Sequence, residues 1–200
     1  MQLRVVVEGD SDKSIVTRLI KEATDHTIVD IRATNGVKKL DANISKYVCA
    51  AANDPDPENG WVIFRDADYF CPVELVQSLL PKSANPRLLK DSHFCLRIVK
   101  PSIESWYLAD RENFAIFFGV SPSIVPRNPD DLKNAKTELL KLCSKSNKRD
   151  IRSHMVRSNG KPGDLYVNIL QKYADSAWSF SSAAENSGSL HRAVLRLREL

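Results

Sequence analysis

The sequence predicts an α/β fold: a mainly parallel sheet flanked by helices, followed by a helical C-terminal cap. Three observations carry this. Short apolar runs rich in β-branched residues alternate with segments of helical periodicity up to about residue 110. Those runs are continuously hydrophobic, as expected of strands buried on both faces of a parallel sheet. After about residue 111 the strand signals stop and helical patterns continue to the C-terminus.

The elements follow in order. Leu3–Val7 is a buried strand; Gly9-Asp10-Ser11-Asp12 is a tight turn that caps a helix carrying Ile15, Val16, Leu19 and Ile20 to about Ala23. His26–Ala33 reads as a second strand, Thr34-Asn35-Gly36 as a turn, and Lys38–Ala52 as a helix with Leu40, Ile44 and Val48 on one face. Residues 53–60, rich in Pro and Asp, form a loop. Trp61–Phe64 is a third strand, Pro72–Leu80 a short helix, Phe94–Val99 a fourth strand, and a helix opens at Ser102 behind Pro101. Beyond it, helices are expected over Glu112–Phe118, Pro129–Ser146, Asp164–Ala174 and Gly188–Leu200, with a break at Gly160-Lys161-Pro162-Gly163. This gives an α/β unit over 1–110 and a helical, basic extension over 111–200 packed on it.

Composition excludes several classes. Hydrophobic residues at 42% and charged residues at 27% are ordinary for a globular chain. No apolar stretch approaches the roughly 18 residues of a membrane span, and the N-terminus runs straight into a strand without a secretory core, so the cytoplasm is the expected compartment. Cys49, Cys71, Cys95 and Cys143 are widely spaced, which points to buried free thiols rather than zinc. Charge is asymmetric: residues 131–200 hold 13 Lys/Arg against 7 Asp/Glu, whereas 1–130 hold 16 against 18. The surplus lies in 133–161, where Lys145, Lys148, Arg149 and Arg152 are candidate nucleic-acid contacts; a solvated helix face is the alternative.

The chemistry-bearing pattern is acidic. Glu8 with Asp10 and Asp12, then Asp66 with Asp68, then Glu104, all fall just after strands predicted to be parallel. Ligands of open α/β sheets bind outside the carboxyl ends of strands, so these carboxylates are expected to converge. In extended backbone, Asp66 and Asp68 would point the same way. Clustered carboxylates without His or Cys call for a hard cation, Mg²⁺ or Mn²⁺. Asp10 and Asp12 also suit a helix N-terminus, and Glu104 lies in a first helical turn. Glu8 directly ends a valine run, where a carboxylate risks desolvation without structural gain.

Val7-Glu8-Gly9 followed by Asp12 and a helix, then a hydrophobic strand ending Asp66-Ala67-Asp68, resembles the TOPRIM domain of topoisomerases, primases and OLD-family nucleases over about residues 1–110. Ile103–Asp110 and Asn186-Ser187-Gly188-Ser189-Leu190 resemble standalone prokaryotic TOPRIM-like proteins of this length. The resemblance implies a Rossmann-type sheet and a Mg²⁺-dependent nuclease acting on DNA or RNA in defence or DNA processing, with a separately encoded ATPase as a candidate partner. Glu8, Asp66 and Asp68 would hold one ion, Asp12 and Glu104 would place a second or orient water, and Gly9 would keep the turn open to phosphate. Apart from the resemblance, Lys100, next to Glu104 in sequence, would neutralise charge on the phosphoryl group, with a surface ion pair before Pro101 as the equal alternative.

Two other readings use the same residues. A non-catalytic module would bind nucleic acid or a partner protein, and a receiver-like phospho-acceptor domain would use Asp10/Asp12, Asp66 and Lys100. Trp61, Trp106, Trp178, Phe117 and Phe118 read as core; only exposure would make aromatics base-stacking platforms. Tyr69 and Tyr107, the tyrosines near the carboxylates, are expected to pack.

Overall fold

The computed structural model describes residues 1–81 and 93–200. In chain order the elements are β1 (Gln2–Val7), α1 (Asp12–Ala23), β2 (Thr27–Ala33), α2 (Val37–Ala52), β3 (Asn59–Asp66), α3 (Pro72–Leu79), β4 (Phe94–Val99), α4 (Ile103–Ala109), α5 (Arg111–Phe118), α6 (Ala135–Ser144), α7 (Arg149–Met155), α8 (Tyr166–Ser176), α9 (Phe180–Asn186) and α10 (Gly188–Arg198). The four strands pair in parallel in the order β2-β1-β3-β4. The chain leaves β1 toward β2, then crosses back over β1 to β3 and β4. The direction reverses between β1 and β3, and a crevice opens outside their carboxyl ends.

The valine run explains the centre of the sheet. Val5 and Val7 join one core and Val6 the opposite one, and all three are inaccessible to solvent. Each side chain contributes roughly 1.5–3 kcal/mol by leaving water. On one face Val6, Ile63 and Phe94 pack against Leu40, Ile44 and Val48 of α2. On the other, Leu3, Val5, Val7, Val62, Phe64, Cys95 and Val99 join α1 and the C-terminal helices in one continuous core that reaches Leu139, Tyr173, Trp178 and Leu197. α1 packs on α8, α9 and α10, and α4 on α6 and α9. The helices after residue 111 therefore complete the core of the sheet. Among the described residues no helix is long and apolar enough to cross a membrane.

Buried polar groups join the halves. The Asp110 carboxylate accepts from Ser179 N at 2.7 Å and from Asn113 Nδ2, and the Trp178 indole donates to Trp106 O at 3.0 Å. Asp130 accepts from Ser187 Oγ at 2.6 Å and from Ser189 N at 2.7 Å, which fixes the start of α10. Trp106 and Asp110 of the first sequence motif thus tie the two halves together, while Asp130 anchors the second motif from within the C-terminal half.

Several local expectations are corrected. Pro129–Ser146 is not one helix: a 3-10 turn at Pro129–Asp131 precedes α6, whose start is set by Asn134 accepting from Thr137 N at 2.8 Å. α7 and α9 are additional helices, short and without a strong apolar stripe in sequence. β3 starts two residues early because Asn59 and Gly60 pair with Gln2 and Leu3. The Gly160–Gly163 break is a tight reversal closed by a Val156–Pro162 bridge, where a Cβ on Gly163 would meet His154 O at 2.0 Å. The four cysteines are free, but Cys49 and Cys71 are exposed and only Cys95 and Cys143 are buried.

Candidate functional site

Glu8, Asp66, Asp68 and Glu104 line one narrow cleft of about 190 Å³, together with Tyr69, Ser102, Lys133, Asn134 and Lys136. It lies at the carboxyl ends of β1 and β3, where the topology reverses. Glu8 follows the last residue of β1, its carbonyl fixed by Gly36 N at 3.1 Å. Asp66 ends β3, and its Oδ1 accepts from Ile103 N at 3.0 Å at the start of α4. Glu104 is in the first turn of α4 and is only 5% exposed.

Asp68 reaches the cleft by a different route from the one strand alternation suggests. β3 ends at Asp66, and Asp68 has a left-handed backbone with φ 52°. Its amide donates to Pro101 O at 2.8 Å, and Phe70 N closes the turn on Ala67 O at 2.9 Å. A turn, not an extended Asp-x-Asp, brings the second carboxylate to the site.

Asp12 does not line the cleft but lies behind it, 5% exposed, accepting from Gly9 N at 2.7 Å and Ser11 Oγ at 3.0 Å. Asp10 instead forms a surface ion pair with Lys13 at 2.8 Å. A Cβ on Gly9 would meet Asp12 Oδ2 at 3.5 Å, an ordinary contact, so space does not demand glycine there. Its amide is the group Asp12 uses.

The electrostatics are those of neighbouring carboxylates, Asp12 and Glu104 buried and Asp68 still open to water. Burial, then the Glu104 and Asp12 charges, pushes Asp66 well above the ordinary carboxylate range. Burial and then Glu104 push Asp12 up to about 7, against the hydrogen bonds from Gly9 and Ser11. Glu8 is raised by burial and then by Asp68, with Arg65 opposing; Asp68 is raised by burial, again with Arg65 opposing. Arg65, 4% exposed, grips Asp41 through Nε at 3.2 Å and Nη2 at 3.1 Å. Its Nη1 donates to Asp66 O and lies 3.6 Å from Asp68 Oδ2.

The cap supplies contacts that sequence reasoning missed. Glu104 Oε1 accepts from Tyr166 OH at 3.1 Å and lies 3.5 Å from Lys136 Nζ, while Oε2 accepts from Ser102 Oγ at 2.8 Å. Lys136 also sits 5.1 Å from the centre of the Tyr166 ring. Lys136 therefore holds the place expected of Lys100. Lys100 is exposed and turned away, with Nζ 3.8 Å from Asp131 Oδ1 and its amide donating to Ser189 Oγ. Only the asymmetric charge of the C-terminal part hinted at a basic wall.

The other basic candidates stand elsewhere. Lys148 and Arg149 line a separate, larger cleft of about 760 Å³ with Phe117, His154 and Leu165. Lys148 Nζ donates to Ile116 O at 2.9 Å and Phe117 O at 2.7 Å, capping the end of α5, and Arg152 donates to Ser146 O. These two side chains serve the fold. Lys145 is exposed at the end of α6. Tyr107 is buried and donates to Ser11 O at 3.0 Å, as expected, but Tyr69 is 79% exposed at the cleft.

Among the described residues, no group of three or more His, Cys, Asp or Glu side chains is gathered closely enough to hold a metal ion as it stands. Asp12, Asp66 and Glu104 are each engaged with protein donors. Glu8 is different, because its Oε2 is buried with no hydrogen-bond partner. An orphaned carboxylate oxygen beside three further carboxylates fits a hard divalent cation in donor chemistry. Comparison with protein-family models, curated proteins and solved structures gives no match.

Proposed function

We propose that this chain is a metal-dependent phosphodiesterase of the TOPRIM type that hydrolyses nucleic acid. The observation that carries the reading is the meeting of Glu8, Asp66, Asp68 and Glu104 in one cleft at the sheet's switch point, with Glu8 Oε2 left without a partner. A bound Mg²⁺ or Mn²⁺ would supply charge neutralisation and an activated water. Glu8, Asp66 and Asp68 are the residues that would hold it. Glu104, kept by Tyr166, Ser102 and Lys136, orients water in the same cleft, and Asp12 stiffens the Gly9 turn next to Glu8. Lys136 and Lys133 offset negative charge on the phosphoryl oxygens. Lys145 and Arg149 are retained as distal contacts to the phosphate backbone. Four free thiols agree with a reducing cytoplasm.

The test is incubation of the purified protein with plasmid, single-stranded DNA and RNA in Mg²⁺, Mn²⁺ or EDTA. Metal-dependent nicking or degradation of at least one substrate is expected. No cleavage of any of them, even in Mn²⁺, would replace this reading with that of a binding module.

A further inference from the structure

The turn that delivers Asp68 also carries two aromatic rings to the surface. Tyr69 is 79% exposed and lines the carboxylate cleft; Phe70 is 61% exposed, and Val73 beside them is 66% exposed. Three exposed large apolar side chains within five residues of chain, the first of them at a polar cleft, mark a contact surface more often than isolated exposed residues do. The turn is pinned by Asp68 N on Pro101 O and Phe70 N on Ala67 O, so the rings stand on ordered backbone. Phe70 also lies 6.0 Å from the buried Arg65 guanidinium.

The size of the cleft limits what occupies it. At about 190 Å³ it is smaller than the roughly 300–1,000 Å³ that enclose a drug-sized ligand. It suits a phosphate, with Lys133 and Lys136 in its wall, and leaves an attached base outside. The exposed ring at the edge of the cleft is Tyr69, and Phe70 follows it in the same turn. Ring faces of bases are open to such stacking in unpaired strands and closed in a duplex.

We propose that Tyr69 and Phe70 form a stacking platform for an unpaired base flanking the phosphate in the cleft, which makes single-stranded or locally melted nucleic acid the substrate class. This rests on the phosphodiesterase reading. The experiment is fluorescence anisotropy in Ca²⁺ with labelled oligothymidylate, an abasic strand of the same length and a duplex, using the wild type, the double variant Tyr69→Ala/Phe70→Ala and the conservative Tyr69→Phe/Phe70→Tyr. For each ring that stacks, the alanine variant is expected to lose about five- to 150-fold on oligothymidylate. The abasic strand should bind the wild type as weakly as oligothymidylate binds the alanine variant. Duplex affinity should change less than about twofold, and the conservative pair should bind like the wild type.

Undiminished oligothymidylate binding by the alanine variant, or an equal loss on the duplex, would overturn the platform. So would sedimentation showing a wild-type dimer that the alanine variant dissolves, because the rings would then be buried on a second copy. Cleavage in Mg²⁺ with ring-independent binding removes the platform alone. Ring-dependent binding without cleavage in any metal removes the hydrolytic reading and upholds the platform.

Discussion

Asp12→Asn is expected to stabilise the metal-free protein at alkaline pH. Asp12 is 5% exposed and is held by Gly9 N and Ser11 Oγ. Asparagine retains an oxygen for the Gly9 amide, and its amide group can donate to the serine hydroxyl, so the change removes charge while keeping both contacts. Burial and then Glu104 raise this acid from 3.8 to about 7. An acid whose folded pKa lies above its unfolded one binds more protons when folded, so stability is greatest at low pH and falls as pH rises between the two values. About three units correspond to ~4 kcal/mol of destabilisation at pH 8, of which ~3 kcal/mol develops between pH 5 and pH 8. For a domain of this size each kcal/mol moves Tm by roughly 2–4 °C. The assay is urea and thermal unfolding in EDTA at pH 5 and pH 8. Wild type should lose stability over this range, and Asp12→Asn should flatten that loss and unfold later at pH 8. A variant less stable than the wild type at pH 8, with the same pH slope, would refute the view that Asp12 is a desolvated, repelled charge.

Other expectations follow from the same geometry. Mn²⁺ at about 100 times its Kd should stabilise the wild type by ~2.7 kcal/mol, and Glu8→Gln should abolish most of that gain in a thermal shift titration. Tyr166→Phe removes the hydroxyl that Glu104 Oε1 accepts from; a loss of about 0.5–1.5 kcal/mol in urea unfolding is expected, together with slower cleavage. Lys136→Ala should reduce kcat at least tenfold while Lys100→Ala leaves it within about twofold, since only Lys136 reaches the cleft. Gly163→Ala should destabilise by ~1–3 kcal/mol or more, read by urea unfolding, because its Cβ would stand 2.0 Å from His154 O.

The sheet was legible because its strands obey a local rule. Val5, Val6 and Val7 must find apolar cover on both faces, and a parallel sheet between two helical layers provides it. Glu8 was legible for the converse reason, a charge where hydration is scarce. Lys136 and Tyr166 were not, since their approach to Glu104 depends on how α6 and α8 pack, which no local period encodes. Of the two readings of Lys100, proximity in sequence favoured neither, and the structure places it in a surface ion pair with Asp131. Within the basic stretch, total charge does not separate cations free to meet phosphate from those, like Lys148, that satisfy carbonyls at a helix end. Tyr69 was expected to pack, yet the left-handed turn at Asp68 leaves it at the surface.

The most direct test of the carboxylate cleft as a metal-dependent phosphodiesterase site is cleavage of an end-labelled single strand in Mn²⁺ by the wild type, Glu8→Gln and Asp66→Asn side by side. The wild type should cleave, with activity lost in EDTA, and both variants should lose at least a hundredfold in rate while remaining folded. Undiminished cleavage by both variants would contradict the assignment.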